Sequence, residues 1–375
     1  MAGIYIHIPF CKQACFYCDF HFSTSLKKKE QMIFALIKEL EIRKNEFKTK
    51  EVATIYFGGG TPSILTVTEI KRLIAAVYDN YKVVANPEIT LEANPDDLSE
   101  EIIVAFSKSP INRLSIGVQS FFEKDLKLMN RAHNATEAKN CLSLASRYFK
   151  NISIDLIYGI PDCSHQEWLI NIQTALSFGV QHISSYALTV EPKTALASFI
   201  KKGIIKNVDD EKSEEQFHIL LDTLEAEGFI HYELSNFGKE GFFSKNNSSY
   251  WLGKPYLGIG PSAHSFNGLE RSWNVKSNAK YIAEIAANNL PSVKEVLTKT
   301  DCYNEYIMTG LRTIWGVSLE KVEQDFGFRY REYLEKEAQK YIAQELLYIE
   351  NGILKATQKG KFLSDGIASN LFILN

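Results

Sequence analysis

The sequence predicts an α/β protein, a partial (β/α)6 barrel followed by a small, mainly helical C-terminal domain. Three observations carry that expectation. Six short apolar runs of strand type recur between Gly3 and Ala187, with amphipathic helical stretches between them. Strand and helix repeated in series give a parallel sheet with right-handed crossovers. The glycines and polar residues that interrupt the pattern collect at the C-terminal ends of those runs, where barrels of this kind bind ligands.

The first strand is Gly3-Ile-Tyr-Ile-His-Ile8, with Ile4, Ile6 and Ile8 alternating, and it runs into a loop that carries Cys11, Cys15 and Cys18. A helix from about Lys28 to Asn45 follows, marked by Met32, Ile33, Leu36, Ile37 and Leu40 at helical spacing. Ala53–Phe57 is the second strand, broken at once by Gly58-Gly59-Gly60-Thr61-Pro62, and the next helix carries Ile70, Leu73, Ile74 and Val77. Glu88–Glu92 is the third strand, ending in Ala93-Asn94-Pro95, and Arg113–Val118 is the fourth, ending at Gln119. The fifth, Asn151–Ile157, contains Asp155, and the sixth is His182–Ala187. Helices are expected at Ala135–Phe149, Gln166–Phe178 and Lys212–Ala226, the last stopped by Gly228.

Residues 1–236 are therefore expected to form the barrel. Residues 237–297, rich in Gly, Asn and Ser, read as an irregular connecting segment against the barrel mouth. Residues 298–375 read as the C-terminal domain, with helices at Asn304–Leu311, Leu319–Phe326 and Tyr330–Gln344, a hairpin at Leu347–Ile353 and a last helix. Lys340, Lys355 and Lys359 there fit a packed helical cap better than a winged-helix nucleic-acid binder, because the charge is balanced.

The bulk numbers exclude several classes. The chain has 375 residues, 45% of them hydrophobic and 23% charged, and a net charge of −3, so nothing argues for a polyanionic partner. No segment approaches the roughly 18 consecutive apolar residues of a membrane span. The N-terminus lacks the pattern of a signal peptide, and cleavage there would remove the cysteine cluster. Six cysteines, three of them clustered, suit a reducing compartment and a cofactor, hence a cytoplasmic protein. Cys141, Cys163 and Cys302 stand alone and read as packed side chains.

Cys11, Cys15 and Cys18 follow the spacing C-x3-C-x2-C. Three thiolates so close cannot all pair as disulfides, and soft ligands suit an iron–sulfur cluster or zinc. A structural zinc wants a fourth ligand, for which His21 is available. A cluster held by three cysteines would leave one iron open to a substrate or cofactor. Gly58, Gly59 and Gly60 let backbone approach a ligand. Glu92 can accept from a ribose or an ammonium, and Arg131 can grip a carboxylate with two donors. Taken singly, Gln119, Arg131 and Asp155 read equally well as structural residues, a lone Tyr5 reads as core, and His7 and His133 read as hydrogen-bonded structural residues rather than ligands. Of the histidines, His264 has the best functional claim, lying in a glycine-rich stretch not far from Tyr250-Trp251.

The cysteine spacing, with Tyr17 before the last cysteine, resembles the signature of the radical S-adenosylmethionine (SAM) superfamily. In that family the open iron chelates SAM, and an electron from the cluster cleaves the sulfonium to give a 5′-deoxyadenosyl radical. Tyr5-Ile-His-Ile-Pro-Phe-Cys11, Gly58-Gly-Gly-Thr-Pro62, Leu91-Glu-Ala-Asn-Pro95, Arg113-Leu-Ser-Ile-Gly-Val-Gln119 and Asp155-Leu-Ile-Tyr-Gly159 narrow the likeness. Together they resemble the family of oxygen-independent coproporphyrinogen III oxidase and the heme chaperone HemW, over nearly the whole chain. The resemblance implies a [4Fe-4S] cluster on Cys11, Cys15 and Cys18. It implies SAM contacts from Tyr5, Tyr17, Gly59, Gly60, Thr61, Glu92, Gln119, Arg131 and Asp155.

Two features point within the family to the chaperone. The oxidase continues its motif to a further cysteine where this chain has Phe20, and it carries a long N-terminal arm where this chain has ten residues before Cys11. The chaperone reading implies heme as ligand, an acceptor protein of the respiratory type and an electron donor to the cluster. The rival readings are a coproporphyrinogen dehydrogenase and a non-catalytic, cluster-bearing redox module. One departure stands out: chaperones of this type show His-Asn-x-x-Tyr-Trp with a heme-binding histidine suspected, and this chain reads Asn246-Asn247-Ser248-Ser249-Tyr250-Trp251. Asparagine is a poor ligand for heme iron, so His264 becomes the expected donor, and restoring histidine at position 246 is expected to tighten heme binding.

Overall fold

The computed structural model describes residues 1–47 and 51–374. Its first half alternates as expected: β1 (Ala2–Ile8), α1 (Lys29–Ile42), β2 (Val52–Gly59), α2 (Val67–Asn80), β3 (Val83–Ala93), α3 (Glu100–Ser107), β4 (Arg113–Gln119), α4 (Glu123–Leu128), α5 (Ala135–Tyr148), β5 (Ile152–Tyr158), α6 (His165–Ser177) and β6 (His182–Ala187). Strands β1 to β6 pair in that order and all in parallel. β2 and β4 are buried on both faces, which is why they read as near-continuous buried runs. Capping boxes start the helices sharply, Thr66 with Glu69, Asn134 with Glu137 and Ser164 with Glu167.

One face of the parallel sheet packs on the helices. Leu114, Ile116 and Val118 of β4 join Trp168, Leu142 and Phe106 in one apolar core. The alternate residues turn to the concave face, and they are polar: Arg113 and Ser115 on β4, Ser153 and Asp155 on β5, His182 and Ser184 on β6. The sheet does not close. This is a partial barrel, extended at both edges into a 12-stranded sheet.

The extension comes from the later chain. After α7 (Ala195–Lys201) and α8 (Asp210–Ala226), β7 (Ile230–Glu233) and β8 (Asn236–Gly238) add an antiparallel pair beyond β6. Then come α9 (Lys245–Trp251), β9 (Tyr256–Ile259), β10 (His264–Phe266), β11 (Glu270–Asn274), α10 (Asn278–Ala286) and β12 (Ser292–Val296). Residues 237–297 are thus not the irregular segment the composition suggested. β9 adds in parallel to the free side of β1, and β10 to β12 continue antiparallel. The strands run only three to five residues between Gly- and Asn-containing turns, too short to show a period. A buried carboxylate orders them: Glu39 of α1 accepts from Gly260 N (2.8 Å), Asn274 Nδ2 (2.7 Å) and the Tyr281 hydroxyl (2.6 Å), with Arg43 beside it.

α9 lies across the concave face at the N-terminal ends of the strands. Glu88 of β3 accepts the amides of Lys245 and Asn246 at its start, and Thr54 of β2 donates to Asn246 Oδ1 at 3.0 Å.

The C-terminal part has its own apolar cluster, including Tyr303, Ile307, Leu334 and Leu354. It comprises α11 (Lys299–Leu311), β13 (Val317–Ser318), α12 (Leu319–Phe326), α13 (Phe328–Ile342), β14 (Leu347–Glu350), β15 (Ile353–Ala356), α14 (Gln358–Lys361) and α15 (Ser364–Asn370). No helix among the described residues is long and apolar enough to cross a membrane.

Candidate functional site

A cleft of about 500 Å³ opens at the C-terminal ends of the parallel strands. Cys11, Cys15 and Cys18 line it together with Glu92, Gln119, Arg131 and Asp155. Tyr17, Gly59, Gly60 and Thr61 complete the expected set. Tyr5 is the exception. It sits below the cleft, its ring stacked on Tyr56 and its hydroxyl 3.1 Å from His7 Nδ1.

The glycine loop is there because nothing else fits. Gly59 has φ of 109°, and a side chain on it would run into the His7 ring. A Cβ on Gly60 would lie 2.6 Å from the Phe10 carbonyl oxygen, so the loop after β2 is pressed onto the start of the cysteine loop. His7 is held as a structural residue, with Nε2 donating to the His21 carbonyl at 2.9 Å. His133 is likewise tied to the Val118 carbonyl at 3.0 Å.

The three thiols are free, half-buried and not bonded to one another. Burial pushes the Cys11 thiol up to about 11, opposed by a hydrogen bond from Thr61. His21, the candidate fourth ligand of a zinc, is 2.7 Å from Asn278 Oδ1 through Nε2. Among the described residues, no three His, Cys, Asp or Glu side chains converge tightly enough to hold one metal ion.

Arg131 is the brace of the cysteine loop. Its Nη1 donates to Cys15 Sγ (3.4 Å) and Tyr17 Oη (3.3 Å), and its Nη2 to Asn94 Oδ1 (2.7 Å) and the Gly117 carbonyl (2.8 Å). Only Nε is left without a partner, so the two-donor grip on a carboxylate that the sequence suggested is already spent inside the protein. Gln119 reaches the cleft from a bulge. The β4–β5 register slips between Gly117 and Gln119, and Gln119 takes φ of 68°, a left-handed conformation that non-glycine residues avoid outside special sites.

The two carboxylates are set by their surroundings. Glu92 accepts the Tyr56 hydroxyl at 2.8 Å and the Gly59 amide at 3.2 Å. Burial still raises it to about 7, with the Tyr56 bond pulling the other way and the Asp155 charge adding to the rise. Asp155 accepts from Ser115 Oγ at 3.3 Å, and burial raises it to about 6 against the pull of Arg113. Arg113 is 1% exposed, and its guanidinium Nη2 lies 3.4 Å from His182 Nδ1. It is a buried cation beneath two buried carboxylates, and the inward register of β4 would have revealed it.

Sequence reasoning also missed Asn94, Ser115 and Tyr186, which line the same cleft. One expectation about heme needs correction. Asn246 is 2% exposed and its side chain is turned to Thr54, so position 246 presents no side chain to a cofactor. His264 is exposed on β10 and stacks on Trp273, with ring centroids 6.0 Å apart; it is not gathered with Tyr250, which packs edge-on against Tyr256.

Comparison with known proteins places this geometry. A model of the radical SAM superfamily matches residues 5–173, and a model of the HemN C-terminal domain matches residues 297–363. The heme chaperone HemW of Lactococcus lactis is 33% identical, over 97% of this chain and 95% of its own length. That of Bacillus subtilis is 34% identical, over 98% of each chain. Among solved structures, the coproporphyrinogen III oxidase of Escherichia coli, described as a radical SAM enzyme, superposes with a TM-score of 0.86. It covers 99% of this chain and 90% of that one at 22% identity, which speaks to the fold.

Proposed function

The chain belongs to the radical SAM superfamily and, within it, to the family of the heme chaperone HemW, and on that premise we propose that it is a heme chaperone. It holds a [4Fe-4S] cluster and SAM in the cleft at the strand ends, binds heme and passes it to an acceptor protein. The observation that carries this reading is the convergence of three free thiols with Glu92, Gln119, Arg131 and Asp155 on one cleft.

The donor set fits the cofactors. Three thiols with no fourth ligand gathered beside them among the described residues suit a cluster that keeps one iron for another molecule. When bound, the cluster supplies the electron for cleavage of the SAM sulfonium. The chain's own residues do the rest. Cys11, Cys15 and Cys18 ligate, and Arg131 keeps Cys15 and Tyr17 in place against Asn94 and Gly117. Gly59, Gly60 and Thr61 offer backbone at close range, and Glu92 and Asp155 present acceptors to the ribose and ammonium of SAM. Tyr5 stacks on Tyr56, which donates to Glu92. Phe20, 68% exposed at the mouth, gives apolar surface where the oxidase motif would continue to cysteine. We assign residues 1–236 to cofactor binding and residues 298–375 to the surface that meets heme or its acceptor. Free thiols suit the cytoplasm, and an electron donor to the cluster is required.

The test is anaerobic reconstitution followed by parallel assays of SAM binding, heme binding and coproporphyrinogen consumption. The expected result is a protein that takes up cluster, SAM and heme and leaves coproporphyrinogen untouched. Consumption of coproporphyrinogen with no heme bound would replace this reading by that of an oxidase.

A further inference from the structure

The loop that carries the three cysteines is held by main chain on either side of its first gap. The Cys11 amide donates to the Ser23 carbonyl and the Phe16 amide to the Met129 carbonyl, each at 3.1 Å. Between them Lys12, Gln13 and Ala14 are exposed and belong to no helix or strand. Ties of another kind hold this span. The Lys12 ammonium pairs with Asp96 at 3.2 Å and with Asp97. Gln13 and Ala14 are both tied to Asn130. The Asn130 Nδ2 donates to the Ala14 carbonyl at 2.8 Å, and the Asn130 carbonyl accepts Gln13 Nε2 at 2.9 Å.

Asn130 can do this because of the way α4 ends. The Asn130 amide donates to the Lys127 carbonyl at 3.1 Å and the Arg131 amide to the Leu126 carbonyl at 2.9 Å, the paired bonds of a Schellman turn. Such a turn puts the residue after the cap in the left-handed region, and Asn130 has φ of 56°. Glycine is the usual occupant there, and asparagine is one of the few others that tolerate it. What asparagine adds is a side-chain amide that can donate, and this one is spent on Ala14. The turn therefore presents two grips in succession. Asn130 holds the residues before Cys15, and Arg131 holds Cys15 Sγ itself at 3.4 Å.

We propose that Asn130 is a positioning residue for the cluster, clamping Gln13 and Ala14 so that Cys11 and Cys15 stay on the cleft together. The proposal rests on the reading of this cleft as a cluster site. Asn130 acts through the two residues before Cys15 rather than on a thiol. Without its side chain the exposed span leaves the turn at 129–131 more often, and each local opening lets a chelator reach metal held there. The clamp sets how fast the cluster is lost, not whether the chain folds.

The experiment compares wild type, Asn130→Gly and Asn130→Asp after anaerobic reconstitution of the whole protein. Iron release to an excess of a ferrous chelator is followed by absorbance, and the cluster-free proteins are melted in parallel. Glycine keeps the left-handed turn and removes the grip on Ala14. Asn130→Gly is expected to release iron roughly threefold to tenfold faster, the span of one ordinary hydrogen bond. Its cluster-free melting temperature should stay within about 2 °C of wild type, because glycine suits the position. Aspartate keeps the shape but sets an acceptor against the Ala14 carbonyl, so Asn130→Asp should release iron at least as fast as the glycine variant. Iron release at the wild-type rate from either variant overturns the clamp. So does faster release that follows a melting temperature lowered well beyond that margin in the cluster-free protein, since Asn130 would then only support the fold. A wild type that takes up no cluster overturns the cofactor reading itself, and the clamp with it.

Discussion

The Tyr56 hydroxyl donates to Glu92 Oε1 at 2.8 Å, which points the carboxylate up from the concave face of the sheet toward the cysteine loop. Its second oxygen takes the Gly59 amide, so the side chain is aimed before any ligand arrives. Replacing Glu92 by Ala removes a charge-assisted acceptor worth about 1.5–3 kcal/mol, and SAM affinity is expected to fall roughly ten- to a hundredfold. Cluster absorbance should persist. Unchanged SAM affinity by equilibrium dialysis would reduce Glu92 to a structural partner of Tyr56.

The same carboxylate makes the ligand-free protein sensitive to pH. Its pKa is raised in the folded state to about 7, from an ordinary value near 4.5. The folded protein therefore binds more protons than the unfolded chain across that window, and stability falls as pH rises through it. Glu92→Gln abolishes this contribution. Thermal melts should show the variant gaining on wild type by about 2 °C or more at pH 8 relative to pH 4.5, in the absence of SAM. A constant difference between the two pH values would contradict the assignment.

Cluster incorporation separates the six cysteines into two groups. Alanine at Cys11, Cys15 or Cys18 should abolish the iron–sulfur absorbance after reconstitution. Alanine at Cys141 or Cys163, both buried, or at Cys302, beside the C-terminal core, should leave it intact. Loss of the cluster in the Cys302 variant would move a ligand into the C-terminal part.

Heme binding is expected to respond at position 264 and not through position 246. His264→Ala removes an exposed imidazole and should weaken heme binding or alter the visible spectrum of the iron. Asn246→His has no such gain to offer, because Asn246 is buried against Thr54 and a Cβ on Gly3 would lie 3.5 Å from its Oδ1. That substitution should lower the melting temperature without tightening heme. An unchanged spectrum in His264→Ala would send the search for the iron ligand elsewhere.

The sequence and the structure agree where burial makes a simple pattern. Strands β1 to β5 each run into a glycine, proline or polar residue, and β2 and β4 are buried almost throughout, so runs such as Ala53–Phe57 followed by Gly58 were legible. The cleft was legible for the same reason, since residues at strand ends converge in a barrel whatever the loops do. Residues 237–297 were not, because their order comes from Glu39, some 220 positions earlier, and no local window contains that partner. Arg131 was found but its task was not. Its partners Cys15, Asn94 and Gly117 come from three separate stretches that only the fold brings together.

The placement of β1 has a consequence for biosynthesis. β1 is an interior strand, flanked by β2 on one side and by β9, Tyr256–Ile259, on the other. While the chain leaves the ribosome, the strand that carries the cysteine loop is therefore an open edge until β9 emerges, an interval of roughly ten to fifty seconds at ordinary elongation rates. An unpaired edge is sticky and its following loop unsupported. The nascent protein is most vulnerable to aggregation and thiol oxidation in that interval, and a chain cut before Tyr256 never leaves it.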